Sequence, residues 1–271
     1  MSPAYDPAVA LEFFKSTGKP ESVAQGATIF AEAEKGGLLR RDKAYLLLDG
    51  EVSLLAGRKV IGAVQKGEIF GEMAAISDSP RSATAAAKTA CRVISLDDRQ
   101  FRSALRKKPA FALMLMGMMI ARLRETIARL TEANALQGDA VLKESRVFDP
   151  KLLVELVRGI SDDPPIYYDR GKPVIEEGQT GIRMYVVLEG RVAVSIGGGV
   201  VERLGPGGVF GELALVGPSP RLASVAAETD CSLLPVNRNA FLALVKTSPE
   251  FAIAILAALA GRLRSLTARL R

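Results

Sequence analysis

The sequence predicts an α+β, mainly β protein. It should hold two tandem β-barrel or jelly-roll domains, each flanked by N-terminal and C-terminal α-helices. Three observations lead there. Gly50, Gly71, Arg81, Cys91, Phe101, Pro109 and Arg122 recur as Gly190, Gly211, Arg221, Cys231, Phe241, Pro249 and Arg262, always 140 residues on. A period this long marks a duplicated domain rather than a solenoid unit. Each copy also holds many short β-like runs separated by glycine turns, and helix-forming runs open and close it.

Taken in order, the copies open alike with Tyr5-Asp6-Pro7 and Phe148-Asp149-Pro150. An Asp cap followed by Pro favours helix starts over the apolar runs 8–14 and 151–157. Strand-like runs follow at 28–30, 44–48 and 51–55, then at 172–175, 184–188 and 191–196, with Gly50 and Gly190 as hairpin punctuation. Gly197-Gly198-Gly199 makes a flexible hairpin tip. It is no phosphate loop, because no Lys-Ser/Thr or opening helix follows it. A further strand pair closes each copy: 84–87 with 92–96, and 224–227 with 232–236.

Long helices end both copies. Met116, Ile120, Leu123, Ile127 and Leu130 alternate spacings of four and three, as do Leu256, Leu259, Leu263, Leu266 and Leu270. Asn134 falls on the next heptad position of the first seam. Such spacing predicts pairing with another helix, either within the chain as a pseudo-dimer or between chains, and homodimerisation is the preferred expectation. The expected domains are 1–131 and 149–271, joined by a polar, partly helical linker over 132–148 that contains Gly138 and Asp139.

Composition narrows the chemistry. The chain has 271 residues, enough for two cores, and 48% of them are hydrophobic. It has no His, which removes His acid–base chemistry, Ser–His and Cys–His nucleophile pairs and most zinc or haem sites. Cys91 and Cys231 sit in apolar strand-like runs, as buried free thiols of a reducing cytosol do. No signal peptide opens the sequence, and the apolar runs 110–121 and 251–261 are too short to span a bilayer. A cytoplasmic protein without a membrane segment is expected. The net charge of +6 and the Arg-rich helix ends (Arg122, Arg124, Arg129, Arg262, Arg264, Arg269, Arg271) suit either a nucleic-acid surface or solvated helix faces, and the second is preferred.

The most informative stretch is Phe70-Gly71-Glu72-Met73-Ala74-Ala75-Ile76, then Pro80-Arg81-Ser82-Ala83. Its repeat is Phe210-Gly211-Glu212-Leu213-Ala214-Leu215-Val216, then Pro220-Arg221-Leu222-Ala223. An apolar strand end runs into a Gly and a short helical run, which lets backbone N–H groups approach an anion. The Arg adds a forked donor suited to phosphate oxygens. A Glu beside the Gly would repel a bare phosphate, but a carboxylate accepts from hydroxyls, so a phosphate joined to a sugar satisfies both groups. The competing arrangement is a capped helix whose Arg pairs with its own Glu.

This cassette resembles that of the cyclic nucleotide-binding domain family, which includes catabolite activator protein and the regulatory subunit of cAMP-dependent kinase. The resemblance covers nearly the whole chain as two tandem domains. It implies that Glu72 and Glu212 bind a ribose 2′-hydroxyl, and that Arg81 and Arg221 bind the cyclic phosphate. Gly71, Met73, Ala74, Ser82 and Ala83, with Gly211, Leu213, Ala214, Leu222 and Ala223, fall at the positions lining the ligand. In front of the first cassette lies a loop over residues 32–41; counted from the opening Asp-Pro to the matched Gly50 the first copy is three residues longer than the second, and Ala33 stands where the family prefers Gly, so this loop should differ in shape. Arg40-Arg41 in it suit a solvated loop or a partner contact.

The resemblance implies a non-enzymatic receptor without a cofactor. Its ligand would be cAMP in preference to cGMP, with cGMP admitted at the first site because Ser82 and Thr126 match Leu222 and Leu266. In the family the helix after the barrel covers the base, and in catabolite activator protein it dimerises. Binding would therefore reposition residues 101–136 and 241–270 for an unknown protein partner. The sequence shows neither a helix-turn-helix nor an Arg-Arg-x-Ser/Ala inhibitor segment, so a stand-alone sensor is expected. The alternatives are a nucleic-acid-binding regulator, or a scaffold whose pockets are empty or take another ligand such as a cyclic dinucleotide.

Overall fold

The structure is a computed structural model that describes residues 5–36, 41–77, 79–136, 144–159, 164–216 and 220–269. The chain divides into two compact units, Tyr5–Ala112 and Leu113–Arg271.

In the first unit, α1 (Pro7–Lys15) starts at Asp6, whose carboxylate accepts from the N–H groups of Ala8 and Val9. Strands β1 (Lys19–Val23), β2 (Thr28–Phe30), β3 (Lys43–Asp49), β4 (Val52–Ala56), β5 (Lys59–Val64) and β6 (Ile69–Phe70) lead to α2 (Glu72–Ser77). Then come β7 (Thr84–Ala87), β8 (Cys91–Asp97) and α3 (Asp98–Lys107), and α4 (Pro109–Glu132) begins in this unit and continues as the first residues of the second. The strands form two antiparallel sheets, β1-β8-β3-β6 and β2-β7-β4-β5. Tyr45, Leu47, Phe70 and Val93 from one sheet meet Phe30, Val52 and Ala85 from the other. Phe13 and Phe14 of α1 pack with Phe101 of α3 and Phe111 at the start of α4, all almost fully buried. Each such ring contributes roughly 1.5–3 kcal/mol of burial.

The second unit repeats the plan. After β9 (Glu144–Ser145) come α5 (Pro150–Gly159), β10 (Ile166–Tyr168), β11 (Pro173–Ile175), β12 (Arg183–Glu189), β13 (Val192–Ile196) and β14 (Gly199–Leu204). β15 (Val209–Phe210), α6 (Leu213–Val216), β16 (Ser224–Ala227), β17 (Cys231–Asn237), α7 (Arg238–Thr247) and α8 (Pro249–Ala268) complete it. The sheets are β10-β17-β12-β15 and β11-β16-β13-β14-β9, antiparallel except that β9 runs parallel to β14. The barrel cores match ring for ring. Tyr45 stacks on Phe70 at 5.1 Å and Tyr185 on Phe210 at 5.3 Å.

Several expectations need correction. The closing helical segments are each broken by a proline: α3 stops at Lys107 and α7 at Thr247, and Pro109 and Pro249 open α4 and α8. Proline lacks the N–H that a continuing helix needs. Asn134 is no seam residue, because α4 ends at Glu132 and Asn134 takes a positive φ of 51°. The N–H groups of Asn134 and Ala135 donate to the carbonyls of Thr131 and Leu130, which closes the helix. The described part of the linker is a turn that ends on the buried Leu136, the strand β9 and the residues up to the buried Phe148; Gly138 and Asp139 lie outside the described residues. Strands β1, β5, β10 and β14 were not expected, because β1 is polar with a Pro and β5 is an edge strand facing solvent.

Met116, Ile120, Leu123, Ile127 and Leu130 are buried within the single chain, as are Leu256, Leu259, Leu263 and Leu266. Leu270 lies outside the described residues. α8 is long and apolar enough to cross a membrane by length and composition, contrary to the reading from its uninterrupted apolar run. Its Phe251, Ile255, Leu256 and Leu259 are instead packed inside the protein.

Candidate functional site

Each cassette begins where a barrel strand ends. Gly71 follows β6 with φ 72° and Gly211 follows β15 with φ 84°. A Cβ at Gly71 would stand 3.0 Å from Arg81 Nη1, and one at Gly211 would stand 2.8 Å from Arg221 Nη1. Only glycine combines that backbone conformation with so close an approach. In return its carbonyl accepts from the arginine: Nη1 of Arg81 donates to Gly71 O and Nη1 of Arg221 to Gly211 O, both at 2.8 Å. Nη2 of Arg81 donates to Lys43 O at 3.0 Å and Nη2 of Arg221 to Arg183 O at 2.6 Å. Two carbonyls, from the cassette glycine and from the first residue of a barrel strand, thus hold each guanidinium.

Both arginines are buried, as are Glu72 and Glu212. Burial pulls each guanidinium below its usual pKa. In the first copy Asp42, Tyr45, Glu34 and Glu72 oppose that pull, and in the second Tyr185 and Glu212 do. Each carboxylate therefore sits close enough to feel its cassette arginine, yet no Arg81–Glu72 or Arg221–Glu212 ion pair forms among the described residues. The self-paired arrangement is not adopted. Ala74, Ala83 and Ala214 are buried, and Met73, Ser82, Leu213, Leu222 and Ala223 are partly buried. Residues Asp78, Gly217, Pro218 and Ser219 of the cassettes lie outside the described residues.

At Ala33 the first copy keeps the turn that Gly178 makes in the second, so the expected difference of the 32–41 loop does not lie at Ala33 itself. Ala33 takes φ 62° and Gly178 φ 83°. The N–H of Ala33 donates to Arg81 O at 3.0 Å and that of Gly178 to Arg221 O at 2.9 Å. Ala33 bears the left-handed backbone at a cost of about 1–2 kcal/mol. The extra residues fall later, since the copies are offset by 145 at this turn and by 140 from β3 onward. Arg40 lies outside the described residues, and Arg41 is a half-exposed partner of Asp98 at 3.8 Å.

Sequence reasoning missed several supporting side chains. Asp42, itself buried, stands 3.3 Å from Arg81 Nε, and Phe30 lies under the same guanidinium at 4.2 Å. Arg102 donates to Ala75 O and Ile76 O, and Arg238 to Leu215 O, so a helix arginine binds free carbonyls of each cassette helix. Arg262 was expected to be solvated. It is largely buried, and its Nη1 lies 2.5 Å from Glu212 Oε1. The signal for Arg262 was its recurrence as Arg122; nothing local marked the others. Thr126, the polar counterpart of Leu266, spends its hydroxyl on Arg122 O.

The cyclic nucleotide-binding domain model matches residues 20–108 and 165–248, one stretch in each barrel. The chain belongs to the cyclic nucleotide-binding domain family. It is 29% identical over 224 residues to a cAMP-dependent protein kinase regulatory subunit of Eremothecium gossypii, covering 82% of this chain and 43% of that one. It is 26% identical over 234 residues to a cGMP-dependent protein kinase of Toxoplasma gondii, covering 86% of this chain and 20% of that one. The chain thus spans less than half the length of either relative. Among solved structures it is similar to the Thermus thermophilus catabolite activator protein, with 34% identity, coverage of 45% and 59% of the two chains, and a TM-score of 0.39.

Proposed function

We propose that this protein is a non-enzymatic cyclic nucleotide receptor with two sites, one per cassette, that regulates a protein partner. One observation carries the reading: in the second copy Glu212 Oε2 is buried with no hydrogen-bond partner, beside a buried arginine held in place by carbonyls. An orphaned acceptor next to a fixed cation matches a ligand that carries a hydroxyl and a phosphate together.

Gly71, Glu72, Met73, Ala74, Arg81, Ser82 and Ala83 form the first site, and Gly211, Glu212, Leu213, Ala214, Arg221, Leu222 and Ala223 the second. The relatives carry the names of cAMP-dependent and cGMP-dependent kinases, and we favour cAMP, with cGMP accepted at the first site through Ser82. The relatives make a kinase catalytic chain the natural partner class. The two buried free cysteines suit a reducing cytosol. Calorimetry with cAMP and cGMP on Arg81→Ala, Arg221→Ala and the double variant tests the assignment. Each single loss should remove one site and the double loss both, and unchanged binding in the double variant refutes it.

A further inference from the structure

The second copy builds one interaction for which the first has no side chain. Arg262, three turns into α8, places Nε 2.9 Å from Glu202 Oε2 and Nη1 2.5 Å from Glu212 Oε1, and Nη2 donates to Val209 O at 2.5 Å. Glu202 projects from β14, where it pairs in register with Val194. One guanidinium therefore ties a barrel strand, the start of the cassette and the closing helix together. Its side chain is 16% exposed, and those of Glu202 and Glu212 are 17% and 2% exposed. Burial opposes the Arg262 charge, but the two carboxylates overcome it and raise its pKa. The residue matching Glu202 in the first copy is Gly62, so β5 offers no carboxylate there.

We propose that Glu202 is a positioning residue of the second nucleotide site: acting through Arg262, it latches α8 to the cassette and keeps Glu212 Oε2 open for a ligand hydroxyl. The inference rests on the receptor reading above. A guanidinium facing a single carboxylate tends to take both its oxygens with two parallel N–H groups. Because Glu202 engages Nε, Arg262 offers Glu212 only Nη1, and Oε2 is left without a partner. Without Glu202, Nε is free to turn onto Glu212 and consume the acceptor that the ligand needs. The hold on α8 from β14 is lost in the same step.

The test compares Glu202→Gly, the first copy's residue, and Glu202→Gln with the parent protein, all carrying Arg81→Ala so that only the second site is read. Amide exchange of α8 is measured without ligand, and cAMP and cGMP affinities by calorimetry. The latch predicts that Glu202→Gly speeds exchange in the α8 turns around Arg262 at least tenfold and weakens nucleotide binding at least tenfold. Glu202→Gln, which keeps an acceptor for Nε, should lose less of both, and it serves as the reporter if the glycine variant does not fold. Exchange and affinity within twofold of the parent in both variants overturn the proposal. If the parent binds neither nucleotide, the receptor reading fails, while the ligand-free exchange still decides whether the latch exists.

Discussion

Asp42 and Arg81 form a buried ion pair, 3.3 Å from Oδ1 to Nε, that has no counterpart in the second copy. There the matching residue is Ile182, which stands 78% exposed, and Arg221 is held by carbonyls alone among the described residues. The two sites thus start from different charge states around the same guanidinium. The second Asp42 oxygen accepts from the Gly36 N–H at 3.0 Å, so the pair also ties down the longer loop.

Asp42→Ala should destabilise the first unit by about 3–5 kcal/mol, because removing one member of a buried pair strands the other charge. Urea unfolding followed by circular dichroism reads the loss. A cyclic nucleotide should restore part of it by returning an anion to Arg81, so the ligand-induced shift in midpoint should exceed that of the parent.

Gly181 lies against the second arginine. A Cβ there would come 2.2 Å from Arg221 Nη2 and 2.4 Å from Nε, although the backbone conformation itself would accept an alanine. Gly181→Ala must therefore displace the guanidinium. We expect at least a tenfold loss of nucleotide affinity at the second site in calorimetry, with the thermal midpoint of the protein changed little.

Glu228 supplies a pH dependence with a defined sign. Its hydrogen bond from Arg203, with a second from Arg191, holds its pKa below the ordinary 4.5 despite partial burial. A depressed folded pKa gives stability that is complete above the unfolded value and is lost as pH falls through the folded one. The urea midpoint of the second unit should thus fall on acidification below about 4.5. Glu228→Gln should flatten that fall, and parent and variant curves should converge at the acid end.

Much of this was legible in one dimension. Gly71 and Gly211, Arg81 and Arg221, and Glu72 and Glu212 could be picked out because a positive-φ glycine, a forked cation and an acceptor recur together at one spacing. The Asp-Pro helix starts were equally plain, since capping is a local property. Asp42, Phe30 and Glu202 were invisible because each meets its arginine only when segments distant in sequence pack together. Ala33 misled for a related reason. Its turn is imposed by two hydrogen bonds to Arg81, which override the preference of alanine for another backbone conformation.

The chain's residues alone determined a duplicated, mainly β architecture and the placement of one cassette in each half, because repeats, caps and turn glycines act over a few neighbouring positions. Tertiary packing decided how the copies differ. Charge pairing depends on which side chains burial brings within about 4 Å, and that distance carries no trace along the chain. Asp42 beside Arg81, and Arg262 shared between Glu202 and Glu212, are both of this kind.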